Sequence, residues 1–117
     1  MILISLNIRG LGAAHGTRSL KDLIMSHRPT MVLIQETMVS KETSWESLLK
    51  MCLDWFVCSS SAFGLSGGLV ALWNLREIKL EAYLSCVGII LSGYVKGKHS
   101  QIWIINSYAR YGGQKIY

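Results

Sequence analysis

Acidic residues are scarce in this 117-residue chain and stop early: seven Asp and Glu stand against twelve Lys and Arg, and none follows Glu81. From Ala82 to Tyr117 the formal charges are Lys96, Lys98, Arg110 and Lys115, which leaves a basic last third. Such a surface favours phosphate backbones, although an excess this small is also common on solvated loops. A single proline, with 16% charged against 50% hydrophobic residues, excludes intrinsic disorder. No apolar run approaches the ~18 residues of a membrane span. Met1–Ile8 has no basic leader and reaches Asn7 too soon for a secretory signal, so the expected setting is intracellular, nucleus or cytoplasm. Cys52, Cys58 and Cys86 are an odd, sparse set without C-x-x-C spacing. That excludes a disulfide scaffold or a zinc site, and we read them as buried thiols in a reducing compartment.

What is present is alternation. Ile2, Ile4, Leu6 and Ile8 share one face of a strand. Arg9–Gly16 is punctuated by glycine and reads as a loop, with Thr17 as the N-cap of a helix that buries Leu20, Leu23 and Ile24 and stops before Pro29. Met31–Ile34 is a continuous apolar run, the pattern of a strand covered on both faces, and strand–helix–strand order suggests a parallel pair. Thr43 and Glu46 form a capping-box pattern for a second helix through Cys52. Strands follow at Trp55–Cys58, Leu69–Trp73, Ile78–Tyr83, Cys86–Val95 and Gln101–Tyr108, with Lys96-Gly97-Lys98-His99-Ser100 as a hairpin turn. Ile78, Leu80 and Ala82 alternate with Lys79, Glu81 and Tyr83, as a sheet with one wet face requires. The expected fold is one α+β domain over residues 1–117, mostly one mixed or antiparallel sheet with two helices. A mean hydropathy of +0.33 suits a sheet that awaits a partner layer, so we expect a truncated domain whose missing C-terminal half is its natural packing partner.

Two residues could do chemistry at a strand end. If the first two strands are parallel neighbours, Asn7 and Glu36 reach one edge of the sheet. An amide oxygen and a carboxylate there suit a hard cation such as Mg2+ or Mn2+, although on spacing alone a turn cap at Asn7 and a solvated strand end at Glu36 are the better reading.

The surrounding words are more specific. Leu6-Asn7-Ile8-Arg9-Gly10-Leu11-Gly12, His27-Arg28-Pro29, Ile34-Gln35-Glu36-Thr37, Ser66-Gly67-Gly68 leading to Leu72-Trp73-Asn74, and Asn106-Ser107-Tyr108 occur in that order. The series resembles the N-terminal half of the endonuclease/exonuclease/phosphatase superfamily, the DNase I-like fold, and within it the endonuclease domains of plant LINE-type retrotransposons. The resemblance implies half of a four-layer sandwich of two sheets with helices outside. It also implies metal-site roles for Asn7 and Glu36, with Glu36 the direct ligand, and phosphate positioning by Tyr108. The implied substrate is a nucleic-acid phosphodiester, cleaved with the help of Mg2+ or Mn2+.

The family's later words, G-D-x-N and a terminal S-D-H, are absent, and no Asp follows Asp54. One acid–base group is worth about 10²–10⁴ in rate, so these residues alone should be inactive. Thr30 stands where the family usually has Asp, and Arg110 where it has Pro. His15, His27 and His99 lack a preceding Asp and read as surface or structural.

Two other readings compete. Gly10-x-Gly12-x-x-x-Gly16 between a strand and a helix, with Glu36 ending the next strand, suggests a nucleotide-binding, Rossmann-like module, but the glycines are one residue too far apart. Alternatively the chain is a non-catalytic nucleic-acid binder using Lys96, Lys98, Arg110 and Lys115, with Trp103 and Tyr111 as stacking surfaces. Against that, alternation in its strand makes Trp103 a core residue.

Overall fold

The structure is a computed structural model and describes residues 1–7, 13–35, 54–60 and 68–107. The expected second helix at Thr43–Cys52 lies outside the described residues. Strand β1 (Leu3–Asn7) leads to helix α1 (Ala13–His27) and strand β2 (Met31–Gln35), and β1 and β2 pair in parallel. The helix starts at Ala13, ahead of the expected cap, so Thr17 lies inside α1 and the Arg9–Gly16 loop is cut short. Ala13 and Ala14 cost least of all residues in a helix, and this outweighs both Gly16 and the capping preference of Thr17.

The helix ends as its sequence directs. Arg28 adopts a left-handed φ of 46°, its N–H bonds to the Ile24 carbonyl at 3.0 Å, and Pro29 follows. Leu20 and Ile24 are buried against Val32, Ile34, Val70 and Leu72, with Ile4 and Leu6 packed alongside. Met31 and Leu33, on the other face of β2, belong to a second cluster with Trp73, Ile78, Ile89 and Leu91. Covered on both sides, β2 buries every residue from Met31 to Ile34. Each such side chain stabilises the fold by about 1.5–3 kcal/mol.

Strands β3 (Trp55–Ser60) and β4 (Leu69–Asn74) complete the first sheet in the order β1-β2-β4-β3, with β4 antiparallel to both its neighbours. An antiparallel neighbour beside β2 removes the parallel sheet on which the Rossmann-like reading depended. Thr30 ties the starts of β1 and β2 to the end of β4: its N–H donates to the Ile2 carbonyl at 2.8 Å and its hydroxyl accepts the Ile2 N–H at 3.4 Å. Its carbonyl accepts the Asn74 N–H at 2.9 Å.

After β4 the chain changes layer. The Asn74 side-chain oxygen accepts the Arg76 N–H and its carbonyl accepts the Glu77 N–H, both at 3.0 Å, which closes a turn between β4 and β5. Strands β5 (Ile78–Ser85), β6 (Gly88–Val95) and β7 (Ile102–Ser107) then form a separate antiparallel meander instead of extending the first sheet. The α+β reading stands, with the strands divided between two facing sheets. Ile78, Leu80 and Ala82 turn inward and Lys79, Glu81 and Tyr83 outward, as their alternation requires.

Three expectations fail. β6 begins at Gly88 because Ser85 closes a tight turn, its hydroxyl accepting the Val87 N–H and donating to the Gly88 carbonyl, each at 3.2 Å. Cys86 therefore sits exposed in that turn, and Cys58 is half-buried, so neither is the fully buried thiol expected. Trp103 is 64% exposed, because Ile102 and Ile104 take the inward positions of β7 and leave it on the outer face. The Lys96–Gly97 turn between β6 and β7 forms as expected, with Gly97 at φ 84°.

Candidate functional site

Parallel pairing brings the C-terminal ends of β1 and β2 to one rim of the first sheet. Asn7 lies opposite Gln35 in the register, and Gln35 lies opposite Leu69 at the start of β4. This meets the geometric condition set above, that the strands carrying Asn7 and preceding Glu36 be parallel neighbours. Asn7 is exposed at the end of β1. Glu36 is the next residue after Gln35, and Tyr108 the next after Ser107; both lie outside the described residues.

The rim is fastened to the second sheet by one buried amide. Asn106, 2% exposed near the end of β7, donates through Nδ2 to the carbonyls of Val70 at 3.0 Å and Ile34 at 3.2 Å. Its Oδ1 accepts from Gln35 Nε2 at 2.9 Å, and the same Gln35 nitrogen donates to Ser5 Oγ at 3.1 Å. Four strands, β1, β2, β4 and β7, are thus joined by side-chain amides and a hydroxyl at the rim where β1, β2 and β7 end. A buried amide satisfied in this way orders its surroundings, whereas one left unpaired would cost several kcal/mol.

Neither Gln35 nor Asn106 was singled out from sequence as a working residue. The available signal was a carboxamide at the end of each of two apolar strand runs, Met31–Ile34 and Ile102–Ile105. An uncharged polar residue there must find a partner or destabilise the core.

Among the described residues the rim carries no formal charge. Asn7 offers an amide oxygen and Glu36 a carboxylate, both hard oxygen donors of the kind Mg2+ and Mn2+ take, and the parallel register is compatible with both serving one ion. Among the described residues no three of His, Cys, Asp and Glu cluster closely enough to hold a metal. His27 and His99 are exposed.

A scan of protein-family profiles and a search of curated proteins find no match. Solved structures do match. A humanized D. rerio TDP2 superposes with a TM-score of 0.66 at 18% identity, over 86% of this chain and 44% of that one. D. rerio TDP2 complexed with a single-strand DNA product gives 0.64 at 16% identity, over 86% and 42%. The Neisseria 3′ phosphatase NExo bound to a product DNA hairpin gives 0.55 at 13% identity, over 88% and 40%. These are structures of the DNase I-like endonuclease/exonuclease/phosphatase fold, and the chain has half of that β-sandwich. It spans less than half the length of each of them. Among the described residues no helix is long and apolar enough to cross a membrane.

Proposed function

We propose that these residues form the N-terminal half of a Mg2+- or Mn2+-dependent phosphodiesterase domain acting on nucleic acid in the nucleus or cytoplasm, and that alone they do not turn over substrate. In its motifs the domain resembles the LINE-type retrotransposon endonucleases of plants. Asn7 and Glu36 hold the cation, with Glu36 the direct ligand, and Tyr108 positions the scissile phosphate. The ion neutralises charge on phosphoryl oxygens when bound. What these residues lack is the group that activates water and the histidine that contacts the phosphate, because no Asp follows Asp54 and the G-D-x-N and S-D-H words are absent.

One observation carries the reading. The Gln35–Asn106 hydrogen bond of 2.9 Å joins the strand that leads into Glu36 to the strand that leads into Tyr108. Three motif words distant in sequence thereby meet beside the end of β1 that bears Asn7. The DNA-bound states named for the D. rerio TDP2 and NExo structures support a nucleic-acid partner.

The test is complementation. Supercoiled plasmid should remain uncut when incubated with this chain and Mg2+ or Mn2+. Nicking should appear once a separately produced C-terminal half carrying G-D-x-N and S-D-H is added, and should be lost again with Glu36→Gln. Nicking by the chain alone, or no nicking by a reassembled pair shown to associate, would overturn the proposal.

A further inference from the structure

Gln35 stands between the buried amide of Asn106 and the exposed end of β1. Met31 and Leu33 face the second sheet, and alternation puts Gln35 on the same face of β2. The parallel register sets Leu3, Ser5 and Asn7 beside these three residues on β1. Burial falls in steps along the polar line: Asn106 is 2% exposed, Gln35 is half-buried, and Ser5 and Asn7 are exposed. Paired strands lie about 4.8 Å apart, so Asn7 and Gln35 are neighbours at the rim.

The hydrogen bonds along this line run one way. The Ile34 and Val70 carbonyls can only accept, so the Asn106 atom facing them is Nδ2, and Oδ1 is turned to Gln35. Oδ1 in turn needs a donor, which fixes Gln35 Nε2 toward Asn106 at 2.9 Å. The other Nε2 hydrogen goes to Ser5 Oγ at 3.1 Å. Both donors of Gln35 are then used, and among the described residues its Oε1 is met by the Ser5 hydroxyl alone, at 3.4 Å. An amide oxygen accepts two hydrogen bonds, so Oε1 keeps an accepting position at the rim. A lysine or arginine here would serve Asn106 Oδ1 equally well as a donor, but would bring positive charge and no acceptor.

We propose that Gln35 is a positioning residue of the cation site, its Oε1 accepting a hydrogen bond from a water of the hydrated ion. The inference rests on the reading that Asn7 and Glu36 hold Mg2+ or Mn2+. Mg2+ takes about six oxygen ligands and keeps several of them as water when the protein supplies few. Water polarised by the ion is a strong donor and is held best by an acceptor already fixed in place. Asn106 supplies that fixity, because holding Nε2 inward stops the Gln35 amide from turning its hydrogens toward the ion. The buried amide thus acts on the rim through Gln35, and the Ser5 hydroxyl steadies the same side chain. Residues that hold a metal's surroundings in this way are worth about 10- to 100-fold in metal affinity.

The experiment titrates the full chain with Mn2+, reading free ion by electron paramagnetic resonance, with Asn7→Ala as the reference. Gln35→Met keeps the side-chain length and removes both amide functions, so it should weaken Mn2+ binding about 10-fold or more. Gln35→Glu also loses the bond to Asn106 but returns an oxygen to the rim, and should bind Mn2+ at least as tightly as the unsubstituted chain. A purely structural role predicts weakening in both, since both break the same bond. Urea midpoints report that shared loss separately. A second measurement needs no substitution: in a Mg2+ titration the Gln35 side-chain amide signals should shift at the same ion concentration as the Asn7 backbone amide. Mn2+ affinity within about twofold in Gln35→Met, weakening in both variants, or Gln35 signals that stay put while Asn7 shifts would overturn the inference and leave the Asn7–Glu36 site standing. No Mn2+ binding by the unsubstituted chain, or binding that Asn7→Ala leaves unchanged, would overturn that site and the inference with it.

Discussion

Gln35 and Asn106, 71 positions apart in sequence, are hydrogen-bonded at 2.9 Å, and this contact fastens the two sheets together at the candidate site. Asn106 is the hub, since its amide also donates to the carbonyls of Ile34 and Val70. Beside a largely apolar core, both its donor and its acceptor functions are used.

Asn106→Ala should therefore cost about 2–4 kcal/mol, because it strands two buried carbonyls and the Gln35 amide at once. Asn106→Asp should cost at least as much, since a carboxylate cannot donate to those carbonyls. Urea denaturation followed by circular dichroism measures both, and a loss under ~0.5 kcal/mol would mean the sheets do not depend on this amide.

Gly93 gives a second, purely steric prediction. It lies opposite Leu80 in the β5–β6 pair, and a Cβ built there would run into the Lys79 carbonyl and approach the Leu80 Cα to 2.9 Å. Backbone cannot swing aside as a flexible side chain would, so Gly93→Ala should destabilise the fold by about 1–3 kcal/mol. The midpoint of urea unfolding reads this directly, and an unchanged midpoint would show that β5 and β6 pair in another register.

The thiols should separate by rate. With Cys52 replaced by Ser, exposed Cys86 should react promptly with a thiol reagent and half-buried Cys58 more slowly. Burial also pushes the Cys58 thiol above its ordinary pKa, which lowers its thiolate fraction near neutral pH. The folded chain then holds this proton more tightly than the unfolded one, so stability should decline as pH rises above ~8.5, through the folded pKa. A Cys58 that labels as fast as Cys86 would contradict the packing described for β3.

Much of the fold was legible because its elements announce themselves locally. Met31–Ile34 is apolar at every position, and a strand of that kind can only be central. Ile78, Leu80 and Ala82 gave their inward face by simple alternation. The same logic misplaced Trp103, because alternation assigns residues to two faces without saying which is covered, and Ile102 and Ile104 supply enough apolar surface for the inner one. Thr17 looked like a helix cap, but the cap preference of one residue is smaller than the propensity of the Ala13–Ala14 start. The division into two sheets was not legible, since it follows from a turn in which Asn74 bonds Arg76 and Glu77, a feature sequence marks only as polar. At the site, the parallel pairing of β1 and β2 was readable from strand–helix–strand order, whereas the contacts of Gln35 and Asn106 required knowing that β7 packs against β2 and β4.

The most direct test of the central claim, a cation held between Asn7 and Glu36, is paramagnetic broadening. Mn2+ added in small amounts to the isotope-labelled chain should broaden the amide signals of Ser5, Asn7, Gln35 and Glu36 first, and Asn7→Ala or Glu36→Gln should abolish that effect. Signals that stay sharp at this rim, or broaden first around Glu77 and Glu81, would contradict it.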